Sequence, residues 1–480
     1  IQAMSNIKQQ VISGMKWSAS AKLFTQVFSW ISTFYVIRLL TPEDYGLVAL
    51  ATVFFTLITL VTNNGIINAI VQKKIKDSER RSALFTVSLG MNALLSAAMI
   101  GAAEPIASYY ENVEIVPVLL FLGVINPLMS LSVIPQAALQ TEMRFKARAI
   151  VETAAGFIAA LVAFTLAHMG FGVWALLISS AAMMTIRIIG LHIAAGATYR
   201  CTLNFNGIGN SLKYALQAQL GGIMWFVYNR ADTVIIAKGL GVDRAGIYNV
   251  ASEIASIPMT KINAIINEVA FSAFSKTNDD HNAMVYYLGY ALRVMSIFTF
   301  PVFAGLSVIS EPLVITVLGE KWREASAVIL ILAWVFPLRM QATVLGNFIM
   351  AKGDAKFSLV NAAITCTILL SSITVGVQFG IYGAAYAWVI GFSLAYLCIV
   401  LRASRRYNLP IKTFTQWVPV AGVSVVMWCG VYAMQSWLTS AYSIAPWLEL
   451  AISVITGAII AGPVLLKLYW KDIKGVVKAH

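Results

Sequence analysis

Leu40-Thr-Pro-Glu-Asp-Tyr-Gly-Leu-Val-Ala-Leu-Ala51 returns two hundred residues later as Leu240-Gly-Val-Asp-Arg-Ala-Gly-Ile-Tyr-Asn-Val-Ala251, with Leu, Gly and Ala in register and Glu43 opposite Asp243. A second echo sets Pro127-Leu128 against Pro337-Leu338 and Lys146 against Lys356, at an offset of 210. A third sets Gly170-Phe-Gly172 against Gly380-Ile-Tyr-Gly383. Each match is slight, but all three keep their order, so the chain reads as one structural unit written twice.

Composition says what that unit is made of. With 59% hydrophobic and 11% charged residues in 480, and a mean hydropathy of +0.78, the chain is expected to be an all-α polytopic membrane protein. Apolar stretches of about 20 residues, the length that crosses a bilayer, recur between residues 17 and 468. Fourteen such spans are drawn, beginning near residues 17, 47, 83, 115, 149, 173, 214, 247, 286, 326, 358, 384, 415 and 447. Spans one to six then repeat as seven to twelve, and spans thirteen and fourteen are additions. The expected divisions are a six-helix lobe over 1–212, a second over 213–412, and the last two spans with a tail over 413–480. Six is even, so the lobes share one orientation and are related by an axis along the membrane normal. Span one is too long, and lacks the small-residue cleavage site, for a removable signal peptide. Ile1, Gln2 and Ala3, ahead of Met4, read as a remnant foreign to the protein.

Lys and Arg placement orients the chain. Of 34 such residues, 23 fall on the side that holds both termini, 5 on the other side and 6 within spans, which predicts cytoplasmic termini. The same bias accounts for the net charge of +13, with anionic membrane lipids as its partner and nucleic acid excluded. Cys201, Cys366, Cys398 and Cys429 show no paired spacing, so neither disulfides nor a metal site are expected.

Charges inside the spans carry the functional signal. An ionised side chain near a helix centre costs about 2.5 to 3.5 kcal/mol, so Arg187, Lys261 and Arg339 together forfeit roughly 8 to 10 kcal/mol unless they face polar company. Lys261 and Arg339 are the leading candidates for an anion site. Lys22 either joins them or snorkels to the inner surface. Arg230 and Asp232, two residues apart, do not face each other on one helix, so each needs a partner elsewhere. Arg230 suits phosphate; Asp232 and Glu253 suit a coupling cation or proton. Arg187 and Arg293 fit either the site or structural ion pairs. Polar stripes at helical spacing mark wet faces: Asn249, Glu253, Ser256, Thr260, Asn263 and Asn267 on span eight; Ser18, Lys22, Ser29 and Thr33 on span one. Span two adds Thr52, Thr56, Thr59 and Asn63, with Asn64 and Asn68 nearby. Such residues bind a substrate or hold helices together. Spans thirteen and fourteen either pack against lipid or form a groove for a lipid tail. The external loops are too short for a catalytic domain, Asp279, Asp280 and His281 make no recognisable metal constellation, and His168 and His192 stand alone, so no enzyme is expected.

The repeat and several motifs resemble the MOP superfamily, in particular its polysaccharide-transporter branch of lipid-linked oligosaccharide flippases. The motifs are Ser13-Gly-Met-Lys-Trp-Ser-Ala19, Asn64-Gly-Ile-Ile-Asn-Ala-Ile-Val-Gln-Lys73, Asp232 through Gly239-Leu-Gly241 to Gly246-Ile-Tyr248, Pro258-Met-Thr-Lys-Ile-Asn263 and Gly319-Glu-Lys-Trp322. Together they look most like the colanic-acid-type exporters. That resemblance implies a V-shaped pair of bundles that opens alternately in the bacterial inner membrane and needs no cofactor. It implies as substrate an oligosaccharide on an undecaprenyl pyrophosphate carrier, moved to the periplasmic leaflet for a polysaccharide polymerase. A lateral portal between spans one and eight would bear Lys22 and Lys261. The rival readings are a multidrug antiporter of the same superfamily, which calls for acidic rather than cationic cavity residues, and a membrane enzyme of polysaccharide assembly, which calls for a large external loop.

Overall fold

The computed structural model describes residues 28–75, 77–276, 281–442 and 444–478, and among them the regular elements are all helical. The described chain begins in a helix, α1, over residues 28–39. Thr41 then caps α2 (Pro42–Thr59): its side chain accepts from Asp44 N while Asp44 reaches back to Thr41 N at 2.9 Å. This reciprocal arrangement satisfies donors that a helix start otherwise leaves unpaired. Asp44 also accepts from Val173 N at 2.9 Å, so one carboxylate fixes the starts of α2 and of α9.

The chain continues through a π turn, Leu60–Asn64, into α3 (Gly65–Gln72). After it come α4 (Ser78–Gly101), α5 (Ala103–Tyr110), α6 (Ile115–Ile125), a 3₁₀ turn over Asn126–Ser132, α7 (Val133–Thr141), α8 (Phe145–His168) and α9 (Val173–Ala195). The second series holds α10 (Gly209–Leu240), α11 (Val242–Lys276), α12 (His281–Val308), α13 (Ser310–Val317), α14 (Arg323–Leu332) and α15 (Phe336–Ala351). It closes with α16 (Ala355–Gly376), α17 (Gly380–Tyr407), α18 (Val418–Ala441) and α19 (Pro446–Lys478).

The quoted repeat reappears in these boundaries. α2 starts at residue 42 and α11 at 242; α8 starts at 145 and α16 at 355. A long helix followed at once by a short one occurs as α4–α5 and again as α12–α13, and a helix broken next to Pro127 or Pro337 occurs as α6–α7 and α14–α15. Proline fixes its own φ and lacks an N–H, which places each break at the same point of the unit.

Contacts divide the chain into two compact units, residues 1–223 and 224–480, with the division inside α10. In the first, Ile66, Ile67 and Ile70 of α3 pack with Leu84 and Phe85 of α4 and Val133 and Ile134 of α7. In the second, Ile297, Phe300 and Ala304 of α12 meet Val420, Met427 and Val431 of α18 and Ala461 and Leu465 of α19. The two last helices, α18 and α19, thus pack within the second unit.

Among the described residues, nine segments are long and apolar enough to cross a membrane, and ten when α14 and α15, bent by 49°, are counted as one broken span. The expected fourteen is not reached by this measure, for three reasons. Residues 1–27 lie outside the description. α10 and α11 carry the site's charges and do not qualify. Ala355–Tyr407 counts once over 53 residues although it holds two helices, α16 and α17. These two fold back on each other across Gly376, Gly380 and Gly383. Gly380 has φ +78°, and a side chain at Gly376 would run into Ala387 Cβ and Gly383 O, so the hairpin closes only around bare backbone.

Candidate functional site

Four helices of the second unit bring ionisable residues together. α10 supplies Asn229, Arg230, Asp232 and Thr233; α11 supplies Asn249 and Glu253; α15 supplies Phe336 and Arg339; α17 supplies Trp388. Asn229 Oδ1 accepts from Arg339 Nη2 at 2.6 Å. The same guanidinium lies 5.2 Å from the Phe336 ring centre and 4.9 Å from that of Trp388, within the range where the face of an aromatic ring attracts a cation. Trp388 Nε1 in turn donates to Asp232 Oδ2 at 3.0 Å, and Thr233 N donates to Asp232 Oδ1 at 2.8 Å. Asp232 is 5% exposed, so these charge-assisted bonds stand in for water around it.

Beside this group runs a second chain of contacts. Arg230 Nη1 donates to Asn249 Oδ1 at 3.1 Å, and Asn249 Nδ2 donates to Glu253 Oε1 at 3.3 Å. Asn249 is buried, whereas Arg230 and Glu253 are exposed in the interiors of α10 and α11. Further along the stripe Ser256 and Thr260 return their hydroxyls to Glu253 O and Ile257 O, both at 2.8 Å, leaving their oxygens to accept from a guest. Thr260 and Lys261 are exposed at the next turn, after Pro258.

Two features of this arrangement decide its chemistry. First, when all are ionised, Arg230, Arg339, Asp232 and Glu253 sum to zero. Second, among the described residues neither arginine forms an ion pair: each is held by an amide, and Arg339 by two aromatic rings besides. Protonation of either carboxylate, or a cation bound to it, leaves the cluster positive.

Arg187 and Arg293 are placed differently. Arg187 lies 3.0 Å from Glu152 and donates to Gln136 Oε1 at 3.0 Å, joining α9 to α8 and α7. Arg293 lies 3.0 Å from Asp472 and donates to Gln416 Oε1 at 3.3 Å, joining α12 to α19 and to the residues before α18. Both are neutralised locally, which is the structural alternative the sequence left open. Glu152 was missed as a partner, although opposite charges on the successive spans α8 and α9 are the signal that finds it.

In the first unit Asn63 is 4% exposed and sits in a polar network. Its Oδ1 accepts from Ser88 Oγ at 3.0 Å and from Asn92 Nδ2 at 2.8 Å, while Asn126 Nδ2 donates to Ser96 Oγ at 2.9 Å. Such a network ties the π turn to α4 and α4 to the 3₁₀ turn through buried side chains. Asn64, the next residue, is exposed. Lys22, Asp279 and Asp280 fall outside the described residues, as do the side chains of Asn263 and Asn267. His168 and His192 do not stand alone: His168 Nδ1 lies 3.1 Å from Tyr35 Oη, and His192 Nε2 lies 2.6 Å from Tyr199 Oη. Among the described residues no three metal-ligating side chains gather, and the four cysteines are free.

Among the described residues, nine or ten segments long and apolar enough to cross a membrane, together with a cluster of ionisable side chains on α10, α11, α15 and α17, define a polytopic membrane protein with a polar site. The chain belongs to the polysaccharide biosynthesis protein family, whose pattern matches residues 35–327. Over 472 residues it is 25% identical to the lipopolysaccharide biosynthesis protein WzxC of Escherichia coli (strain K12), across 95% of this chain and 89% of that protein. The succinoglycan biosynthesis transport protein ExoT of Rhizobium meliloti (strain 1021) is 24% identical across 67% of this chain and 65% of its own length. Among solved structures, the lipid II flippase MurJ in an inward closed conformation matches with a TM-score of 0.77 at 14% identity, over 95% of this chain and 99% of that one. At that identity the likeness is one of fold.

Proposed function

We propose that the protein is a flippase of the bacterial cytoplasmic membrane that moves oligosaccharides linked to undecaprenyl pyrophosphate from the cytoplasmic to the periplasmic leaflet by alternating access. Family membership and the transport and flippase names of its relatives and fold neighbour support the class. The observation that carries the substrate chemistry is that Arg230 and Arg339 are positioned by neutral partners, so their charge becomes available to an incoming anion once a nearby carboxylate is loaded. A pyrophosphate needs cations in a region of low dielectric, and a sugar needs hydroxyl and amide groups. Arg339 and Arg230 serve as charges held by neighbouring side chains, Lys261 and Lys22 as further cations, and Asn64, Asn263 and Asn267 as sugar contacts. Asp232 and Glu253 hold the coupling proton or cation: loading them unmasks the two arginines, and unloading them releases the anion. A ligand shifts an equilibrium only by its differential affinity, so a site that alternates between neutral and positive avoids trapping its cargo. On this reading the six-helix lobes span 1–212 and 213–412, both termini are cytoplasmic, and the exported units feed a polymerase.

The test is depletion of the protein from its own cells, followed by assignment of lipid-linked intermediates to a leaflet. Complete repeat units trapped on the cytoplasmic side are expected. Intermediates already facing the periplasm would assign the protein a later, enzymatic step, and altered drug sensitivity without accumulation would make it a multidrug exporter.

A further inference from the structure

A basic pocket lies at one end of the α16–α17 hairpin, outside the polar cluster described above. Its volume is about 520 Å³, and Lys356 from the first turn of α16 and Arg402, Arg405 and Arg406 from the last turns of α17 line it together with Asp354 and Phe357. Not all four cations are equally available. Asp354 Oδ2 accepts from Arg406 Nε at 3.2 Å, and Arg406 Nη2 is also 3.2 Å from it. Arg402 donates through Nε to Asn361 Oδ1 at 2.9 Å and lies 5.2 Å from the Phe357 ring centre, which fixes its guanidinium in the wall. Lys356 and Arg405 are exposed and, among the described residues, have no hydrogen-bond or ion-pair partner. Four cations against one carboxylate leave three positive charges around the pocket.

The pocket is also continuous with an apolar track. On α17, Ile390, Leu394, Leu397 and Leu401 step by four, three and four residues and are each 40% to 58% exposed; Arg405 occupies the next position of the same stripe. On α16, Val360 lines the pocket one turn past Lys356, with Leu359 exposed beside it. From residue 390 to residue 405 a helix rises about 22 Å, enough to accompany an acyl chain. A soluble phosphate has no use for that track. A phospholipid needs both ends: phosphate on the guanidinium groups, acyl chain on the leucines.

We propose that this pocket is a specific site for an anionic glycerophospholipid, held through its phosphate by Lys356, Arg402 and Arg405 with one acyl chain along Ile390–Leu401. Basic pockets between membrane helices suit such headgroups, and each lysine or arginine near the surface contributes about 1 kcal/mol, a factor of roughly five. The site is separate from the export cluster, so a lipid there steadies the hairpin that carries Trp388 without competing for cargo.

The experiment measures binding of fluorescent phosphatidylglycerol and of phosphatidylcholine with the same chains to the purified full-length protein in detergent. It compares the parent with K356Q/R405Q, and with K74Q/R80Q, which thins another basic pocket at the α3–α4 turn. Among the described residues Lys356 and Arg405 make no hydrogen bond or ion pair, so melting of the double variant should match the parent. A preference for phosphatidylglycerol in the parent, reduced about 25-fold in K356Q/R405Q and unchanged in K74Q/R80Q, is the expected result. No preference in the parent, an unaltered preference in K356Q/R405Q, or an equal drop in the other pair would overturn the proposal. Displacement of the lipid by millimolar inorganic phosphate at constant ionic strength would make this a soluble-anion site and overturn it as well.

Discussion

Arg339 owes its position to three residues far away in the chain or one turn back on its own helix: Asn229 takes one nitrogen, and the rings of Phe336 and Trp388 lie against the guanidinium. A lysine keeps the charge but has neither the planar fork nor the stacking surface. Arg339→Lys is therefore expected to lower export about tenfold or more, the scale of one lost charge-assisted contact, with unchanged protein in the membrane; parent-like export would remove Arg339 from the site. Lys261→Ala tests the exposed end of the α11 stripe, and here loss of export at normal abundance is the expected outcome, measured as surface polymer per unit of protein. Outside the membrane, Asp354 caps α16. The Phe357 N–H, and then Arg406 and Tyr407, hold its carboxyl below its ordinary 3.8. A depressed carboxylate contributes stability above its unfolded value that is lost as pH falls through the folded one, so melting scans below about pH 4 should show a steeper acid loss in the parent than in Asp354→Asn. The charges themselves were legible as single letters in apolar stretches. Their partners were not, because Trp388 lies 156 residues from Asp232 and Asn229 lies 110 from Arg339. One signal was available: an indole N–H inside an apolar span needs an acceptor, and Trp388 had none nearby in sequence.

Helix starts depend on local chemistry, yet spans drawn from hydropathy alone begin near 47 and 247, after the observed starts of α2 and α11 at 42 and 242. Thr41, Pro42 and Asp44 announce α2 within four residues, whereas α11 starts after Gly241, with Val242 and Arg244 at the corresponding positions. The π turn was not legible. It inserts one residue into the helical ladder at Leu60–Asn64, so Asn63 turns into a buried network while Asn64 meets the exterior, and a stripe drawn at regular spacing places them wrongly. The α16–α17 hairpin is the element most sensitive to a single methyl group. Gly383 has Gly376 O and Phe379 Cβ inside the space a side chain needs. Gly383→Ala is expected to lower stability by about 1–3 kcal/mol, the usual effect of overpacking, read as an earlier midpoint of thermal unfolding in detergent; an unchanged midpoint would show that the hairpin can open at no cost. Because this hairpin also carries Trp388, loss of export should accompany the shift.

At the scale of the whole chain, the repeat was readable from a dozen residues because its second copy keeps Gly246, Ala251 and Pro337 at the positions of Gly46, Ala51 and Pro127, whereas the number of crossings was not, since the spans that carry function are the least apolar. Orientation has a native probe. Cys201 is exposed, and the neighbouring backbone at Arg200 donates to Ser82 Oγ at 3.2 Å, on the side expected to be cytoplasmic. A membrane-impermeant maleimide should label it in inside-out vesicles and spare it in intact cells; the reverse pattern would invert the topology. The four-charge cluster has a consequence in electrical terms. Charges that sum to zero do no work against the membrane potential when their site changes sides, so the voltage acts on the cargo and on whatever Asp232 and Glu253 carry with it. An anion leaving an inside-negative cell gains about 2.3 kcal/mol per elementary charge for every 100 mV. On the proposed reading a proton or cation on Asp232 or Glu253 crosses with the cargo and cancels one anionic charge for each carboxylate loaded, so vesicles polarised at constant pH should flip lipid little faster than depolarised ones; strong acceleration by an inside-negative potential would show that the carboxylates cross unloaded.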